Sequence, residues 1–457
     1  ETNALISGSQ IVKAKNLSII ARDDSKISVD AGAGSLALNL KTQGSGSGNS
    51  LSVGFSLALN EVDNDVLAAV KNPDGDINLE QATFVQAGSS SEIKNLSVAG
   101  SIAGGYNNEG TAVSISGVGA TSKNTVKNTV QARLSAAKDK GATLNSPYGI
   151  SLNAIDNAQI EVKAVGAVLS TAVSSSGTGT SFSLGETTAL NSVTNETLSF
   201  IDNLEVKATQ DAGQHIIQSG AQDTQLAGGE IIHDQDADKY YRYIGIGQDL
   251  KSAFGDLHFR YELELPMLKD VSDFSKTGQW SDITAKITDT QGNMDVPGIM
   301  SEALSKARID ARAIGAQLAA GISTEQSSYS FSLGVTWSEN NINNELLSYI
   351  QGSKANSESG DIYLSSKQDS SINSLALSAS AALSISAEGK ESIAVSGAGA
   401  VGLNKIQGKN NAYIQDSQIQ AQDNDLNIST INSARIKAKV PSVSAGAGSI
   451  GVAVARN

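Results

Sequence analysis

Few residues of this chain have the types and spacing that catalysis or metal binding requires. The three histidines, His215, His233 and His258, are 18 and 25 residues apart and form no HExxH pair, whereas a zinc site needs clustered His, Cys or carboxylate ligands. The chain contains no cysteine, which removes thiolate chemistry and disulfides. It also has no GxSxG elbow, Walker A loop or Rossmann fingerprint. The sequence therefore predicts a protein that is not an enzyme and has no metal site.

Acidic clusters are the remaining candidates for binding an ion. Asp63-Asn64-Asp65, Asp74-Gly75-Asp76 and Asp423-Asn424-Asp425 are interpreted as acidic turns. None of them matches an EF-hand loop or a GGxGxD nonapeptide. We predict no cofactor, and calcium at these turns is the alternative.

A recurring asparagine motif is the most distinctive pattern. It reads Asn-x-(Val/Ile)-x-Asn and closes on an apolar residue ten positions after the first Asn. Gly408 takes the place of the second Asn in the last copy. The first asparagines are Asn60, Asn124, Asn191, Asn340 and Asn404, and the closing residues are Val70, Leu134, Ile201, Ile350 and Ile414.

These asparagines have two interpretations. Asn tolerates left-handed backbone, and stacked Asn amides can hydrogen-bond to each other along a stack of strands. We therefore predict a structural ladder formed by Asn60, Asn124, Asn191, Asn340, Asn404 and Asn457. The alternative is a row that binds a ligand.

The motif belongs to a repeat of about 65 residues. Residues 158–201 align without a gap with residues 307–350, and 19 of 44 positions are identical. Apolar residues alternate with period two, which is typical of strands with one buried face, and turn signals such as Pro73-Asp74-Gly75-Asp76 separate the strands. Together these features predict an all-β fold, a β-solenoid (β-helix), in which one unit makes about three coils of roughly 20 residues.

One segment interrupts the repeat. Residues 222–303 contain 8 of the 20 aromatic residues and all three methionines. We predict solenoid repeats at 1–221, a small inserted globular β module at 222–303, and continuing repeats at 304–457. The aromatic residues of the module either form its core or form a platform for sugar stacking, with Tyr241, Tyr243 and Trp280 as the candidate contacts to a glycan or another partner.

Composition limits the partners. The net charge of −14 argues against nucleic acid, because phosphate binding needs clustered Lys and Arg. The chain has no stretch of 18 uninterrupted apolar residues, so we predict no membrane span. Aromatic residues make up 4% of the chain, which is too few for a large conventional core.

The repeat resembles the long β-strand-repeat proteins of Gram-negative and marine bacteria, giant surface adhesins with filamentous-haemagglutinin-like architecture. The resemblance rests on unit endings such as GAGAVGLNKIQGKNNAYI and on stretches such as SGDIYLSSKQDSSI, and it covers nearly the whole chain. It implies secretion, an extracellular or cell-surface location in a Gram-negative bacterium, and binding or scaffolding. The inserted segment, with Tyr241-Arg242-Tyr243 and Gly278-Gln279-Trp280, is faintly similar to small chitin-binding modules.

The ends of the chain match each other in repeat phase. Asn457 occupies the position of a first motif Asn, and residues 1–6 match the ending that follows it. The expected function is a structural or adhesive segment whose partners are neighbouring repeats or copies of the same chain, stacked head to tail, with a glycan or a host-cell surface as a further partner. The alternative is a carbohydrate-binding or polysaccharide-active β-helix whose insertion contacts glycan.

Overall fold

The fold is known from a computed structural model. It describes residues 1–457 except 12, 45, 211–216, 219–230, 235–238, 244–279, 283–297, 388–389 and 423. For the strands between residues 217 and 282, only the backbone is described.

Three parallel sheets run the length of the solenoid, and their strands alternate along the chain. The front sheet, in spatial order, contains β1 (Thr2–Ser7), β3 (Gly48–Lys71), β6 (Ala112–Ser135), β9 (Gly179–Asp202), β16 (Ser328–Gln351), β19 (Ser392–Gln415) and β23 (Gly448–Arg456). The back sheet contains β2 (Leu17–Lys41), β5 (Thr83–Asn107), β8 (Ile150–Ser174), β15 (Ile299–Ser323), β18 (Ile362–Ser386), β21 (Leu426–Lys439) and β22 (Ser442–Ala445). The narrow edge sheet contains β4 (Ile77–Asn78), β7 (Thr143–Asn145), β10 (Glu205–Ala208), β17 (Lys354–Ser357) and β20 (Gln418–Ala421).

The solenoid fold is as the sequence predicts, but the size of its coil is not. Each coil uses one back strand, one front strand and one edge strand, so a 65-residue unit is a single coil and the prediction of three coils was wrong. Strands β8 and β15 pair from Ile150↔Ile299 to Ser174↔Ser323. The paired residues are separated by the same number of positions as in the gapless alignment. A strand of 25 residues is about 80 Å long at ~3.3 Å per residue, so the coil is wide and flat.

Front and back strands face each other across the coil and run in opposite directions. Ser35 of β2 lies 2.7 Å from Ser52 of β3, and Ser56 donates a hydrogen bond to the carbonyl of Ala31. The chain therefore runs out along the back sheet, reverses, and returns along the front sheet. We call the two ends of the coil the reversal end and the edge-sheet end.

Left-handed residues turn the front strands into the edge sheet. Asn72, Asn203 and Asp416 follow β3, β9 and β19 with φ of 49°, 53° and 50°. Gly8 and Gly352 occupy the same place after β1 and β16, both with φ of 57°. Gly, Asn and Asp tolerate this conformation best, so residue type at this corner helps to fix where these five front strands end.

The interior changes in character along the coil. At the edge-sheet end, where three sheets enclose a wider space, the closing residues of the motif are fully buried, as at Val70, Leu134, Ile201 and Ile350. Toward the reversal end only two sheets remain and small residues fill the gap. A Cβ on Gly54 would lie 2.4 Å from the carbonyl oxygen of Gly100, so the two sheets approach too closely there for a larger residue.

The repeat resumes earlier than the sequence indicates. Pairing of β15 begins at Ile299, so the predicted boundary at 304 is too late, and Met300 is a buried solenoid residue rather than part of the module. The similarity of the two aligned copies is low at this point, which hid the boundary. Between the two solenoid parts lie β11 (Ile217–Gln218), β12 (Ile231–Asp234), β13 (Lys239–Tyr243) and β14 (Trp280–Asp282), which form a four-stranded sheet.

A membrane-spanning helix is not found in the described part of the chain.

Candidate functional site: asparagine rows and outer sheet faces

Six asparagines form one continuous row of side-chain hydrogen bonds through the front sheet. The amide nitrogen of each donates to the amide oxygen of the next. The links are Asn60→Asn124 at 2.8 Å, Asn124→Asn191 at 2.9 Å, Asn191→Asn340 at 2.8 Å, Asn340→Asn404 at 2.9 Å and Asn404→Asn457 at 3.1 Å. These are the six residues that the sequence assigns to a ladder.

Parallel, in-register strands produce this geometry. Identical residues in neighbouring strands are superimposed at the strand spacing of about 4.8 Å, a distance that one amide-to-amide hydrogen bond spans. Asn124 is fully buried and also receives a hydrogen bond from Asn95 of the back sheet at 2.9 Å. The four inner members of the row are at most 4% exposed, so the arrangement favours the structural interpretation over the ligand-binding one.

The second asparagine of the motif behaves differently, because it bonds across the coil. Asn128 donates to the carboxylate of Asp156 at 2.7 Å, Asn195 donates to the other oxygen of the same carboxylate, and Asn344 donates to Ser305 at 3.2 Å. The front and back sheets are thus joined by polar contacts inside the solenoid.

Asp156 is the one strongly shifted carboxyl among the described residues. Burial raises its pKa to about 7, and the hydrogen bonds from Asn128, Asn195 and Ser305 only partly offset that effect. The side chain is 1% exposed, so it cannot meet a substrate in solution. The sequence did not predict this residue. The equivalent positions in the neighbouring back strands are Ser89 and Ser305, so the repeat gives no sign of an acid here.

Gly408 replaces the second Asn for a steric reason. A Cβ on Gly408 would lie 2.4 Å from the amide oxygen of Gln368. Gln368 is fully buried and fills from the back sheet the space that Asn344 fills from the front sheet one coil earlier.

Aromatic residues also stack between coils. The rings of Phe200, Tyr349 and Tyr413 lie in sequence with centroids 4.7 and 5.0 Å apart. Burial raises the pKa of Tyr349 to about 12. The sequence signal was present, since all three residues directly precede a closing residue of the motif.

The outer faces near the reversal end are apolar on both sheets. On the front sheet we define the front apolar field by side chains that are 36–70% exposed: Leu51, Val53, Phe55, Leu57, Leu59, Ile115, Phe182, Leu184, Phe331, Leu333, Val335, Ile393, Val395, Ile450, Val452 and Val454. The back sheet exposes a second set, Leu36, Leu38, Leu40, Leu96, Val98, Ile102, Leu318, Leu383, Ile385 and Val443. Period-two alternation predicts one buried face and places these residues on the other, but the sequence did not show that the second face would also be apolar over a continuous area.

The acidic clusters do not form a common site. Asp63-Asn64-Asp65 lies inside β3 rather than in a turn, so that interpretation was wrong: the alternating pattern of the strand continues through these residues. In the loop before β4, Asp76 accepts a hydrogen bond from the Thr143 N–H at 2.9 Å. Asp423 lies outside the described residues, and within the described part of the chain no three His, Cys, Asp or Glu residues are grouped as a metal site.

The candidate glycan contacts lie on the strands of the insertion. The backbone of Tyr243 pairs with that of Trp280, and Tyr241 pairs with Ile232 on the other side. The side chains of Tyr241, Tyr243 and Trp280 lie outside the described part of the structure, so their role as a platform stays a prediction.

No protein-family model, curated protein or solved structure matches this chain.

Proposed function

We propose that this chain is a structural segment of a bacterial surface adhesin or extracellular filament, built as a stack of wide coils that pairs head to tail with other copies of the chain. The observation that carries the proposal is the single row of asparagine hydrogen bonds, which runs from β3 through β19 to Asn457. A stack of identical contacts gains stability with each added coil, which suits a long scaffold.

The two edges of the stack support head-to-tail pairing because they are complementary. Asn60 donates into the row and Asn457 accepts at its end, so an amide oxygen is left at one edge and an amide nitrogen at the other. The outermost strands of an open sheet have backbone groups free to pair, and a coil of another copy fits both edges with the same polarity.

Axial stacking between copies can be tested by electron microscopy of the chain over a concentration series. Asn457→Asp keeps the oxygen that accepts from Asn404 but removes the outward amide donor and adds a charge, so stacks should become shorter. Asn108→Asp adds the same charge at an exposed reversal loop and should leave their length unchanged. Equal stack lengths for both variants would contradict head-to-tail assembly.

The surface location needs a separate experiment. Antibodies raised against the chain should label intact cells of the source bacterium without permeabilisation. Labelling that appears only after lysis would contradict this part of the proposal.

A further inference from the structure

The front apolar field is large for a surface exposed to water. It comprises sixteen large apolar side chains that are 36–70% exposed, and at roughly 100 Å² for each fully exposed side chain it presents on the order of 800 Å². The largest apolar patch of a monomeric protein is typically about 300–600 Å², and each side of a stable interface buries about 800 Å². The field is therefore large enough to form an interface on its own.

A lipid surface is a poor occupant for this field. The reversal loops that border it carry Glu109, Glu325 and Glu391, which would have to leave water if the field entered a bilayer. Transfer of unpaired carboxylates into an apolar phase is costly. A protein surface that matches the field in size and charge is favoured instead.

The size of the outward side chains differs between neighbouring strands of the field. Val53 and Phe55 of β3 pair with Gly117 and Gly119 of β6. Farther along the stack, Leu333 and Val335 of β16 pair with Gly397 and Gly399 of β19. At these positions β3 and β16 thus have large side chains where β6 and β19 have glycine, and β9, between β6 and β16, has Leu184 and Glu186. If a second copy is rotated by 180° about β9, β3 faces β19 of that copy and β6 faces its β16, so large residues meet glycines in both cases.

The charged residues beside the field follow the same symmetry. On β3 the outward residues are Glu61, Asp63 and Asp65, and on β19 they are Lys405 and Lys409. On β6 they are Lys123 and Lys127, and on β16 they are Glu339 and Glu345. The rotation that matches large residues to glycines also places each acidic strand opposite a basic one. Charge complementarity of this kind fixes the register of an interface.

We propose that the front apolar field from β3 to β19 is the interface between two copies of this chain, paired face to face about a two-fold axis along β9. Each copy supplies the same surface, so the contact closes as a dimer. The axis brings exposed Glu186 and Glu196 of β9 each opposite its own copy, so the rotation also creates two like-charge contacts, of which Glu186 lies within the field.

Sedimentation equilibrium of the full chain tests the pairing. Leu333→Lys, at an exposed position, should raise the dimer dissociation constant at least 100-fold, whereas Glu186→Gln removes the like-charge contact within the field and should lower it several-fold. The matched control is Leu383→Lys, which replaces an exposed leucine of the back sheet and should leave the constant unchanged. Equal weakening by Leu333→Lys and Leu383→Lys, a wild-type chain that stays monomeric at 100 μM, or flotation with anionic vesicles in place of self-association would each overturn the proposal.

Cross-linking tests the geometry itself. The chain has no cysteine, so Val53→Cys with Gly397→Cys introduces two unique thiols. Within one chain these positions are four strand spacings apart, about 19 Å, but across the proposed axis they face each other at the sheet-to-sheet distance of about 10 Å. A bismaleimide of ~10 Å reach should therefore link two chains, whereas Val53→Cys with Lys409→Cys should not, because Lys409 lies about 40 Å farther along β19 than Gly397. Efficient linking of the second pair alone would overturn this register. This test is independent of the head-to-tail stacking proposed above. Asn457→Asp should shorten the stacks but leave this cross-link in place.

Discussion

At the scale of single residues, polar side chains hold the interior of this solenoid together. A hydrogen bond between neutral groups contributes about 1 kcal/mol net, but a buried partner left unsatisfied costs about 1–3 kcal/mol. Asn124 and Asn191 each both give and receive a bond in the row, so removing one of them would orphan two neighbours. A coil that slips out of register would therefore lose hydrogen bonds of the row and be destabilised. Apolar contacts between similar small residues would destabilise such a slipped coil less.

Asp156 makes the stability of the solenoid depend on pH. Burial raises its pKa from 3.8 to about 7, so between these values the folded chain holds a proton that the unfolded chain has released. The free energy of unfolding therefore decreases as pH rises through this window, by up to about 1.4 kcal/mol per pH unit from this group. Asp156→Ser, which copies Ser89 and Ser305 of the same row, should remove that slope.

Urea unfolding of the two proteins at pH 4.5, 5.5, 6.5 and 7.5 measures the effect. The difference in unfolding free energy should shift in favour of Asp156→Ser as pH rises and level off above pH 7. Asp369→Ser, at an exposed position of the same sheet, should show no such shift. A pH-independent difference between wild type and Asp156→Ser would show that the carboxyl keeps an ordinary pKa.

At the scale of the strands, facing positions of the two long sheets are matched in size coil by coil. Gln317 points inward from β15, and a Cβ on Gly334 of β16 would lie within contact distance of its amide. One coil later the equivalent residues are Ser380 and Ala398. A large residue on one sheet is thus accompanied by glycine on the other, and a small residue by alanine.

This matching predicts a rescue. Gly334→Ala should destabilise the chain by about 1–3 kcal/mol, because the added methyl overpacks against Gln317. Adding Gln317→Ser should recover most of that loss, since the pair then reproduces Ser380 and Ala398. A double-mutant cycle from urea unfolding should give a coupling of at least about 1 kcal/mol. Additive effects of the two substitutions would mean that the sheets do not pack against each other at this point.

Much of the strand pairing could be predicted from the sequence. The gapless alignment of residues 158–201 with 307–350 is the pairing register of β8 and β9 with β15 and β16, because parallel in-register strands place equivalent repeat residues side by side. The position of Asp156 opposite Asn128 and Asn195 was not available, since contacts across the coil join residues whose separation depends on the path of the reversal. The two apolar outer faces were likewise visible as alternation, but their merging into continuous fields required the sheet order.

At the scale of the whole molecule, the width of the coil decides the shape. Long strands of 24 and 25 residues give a coil about 80 Å wide, and each coil adds only about 4.8 Å along the stack. The solenoid is therefore a broad two-sheet slab that gains height slowly, and most of its surface consists of the two outer faces.

Removing one coil should leave this architecture intact. Deleting residues 340–403 joins Glu339 to Asn404 at equivalent positions, because Glu339 pairs with Leu403 in the neighbouring strand. The shortened chain should fold with its asparagine row closed by Asn191 and Asn404, and the stack should be lower by about 4.8 Å at the same width. Circular dichroism and small-angle scattering measure both outcomes.

The control is a deletion out of phase. Removing residues 340–371 joins a front strand to the middle of a back strand and should prevent folding of the coils that follow. If the in-phase deletion unfolds the chain as completely as this one, the 64-residue coil is not the repeating unit.

The sequence alone determined the fold class, the register between coils and the members of the asparagine row, because each follows from residues that recur at a fixed period. It did not determine the size of the coil. Alternating apolar residues define a strand but not where the chain must turn, and here Ser, Gly and Ala let two sheets lie flat against each other for 24 or 25 residues. Only the tertiary structure decided which residues face each other across the coil. That arrangement enclosed Asp156, matched Gln317 to Gly334, and gathered exposed side chains from six front strands into one apolar surface.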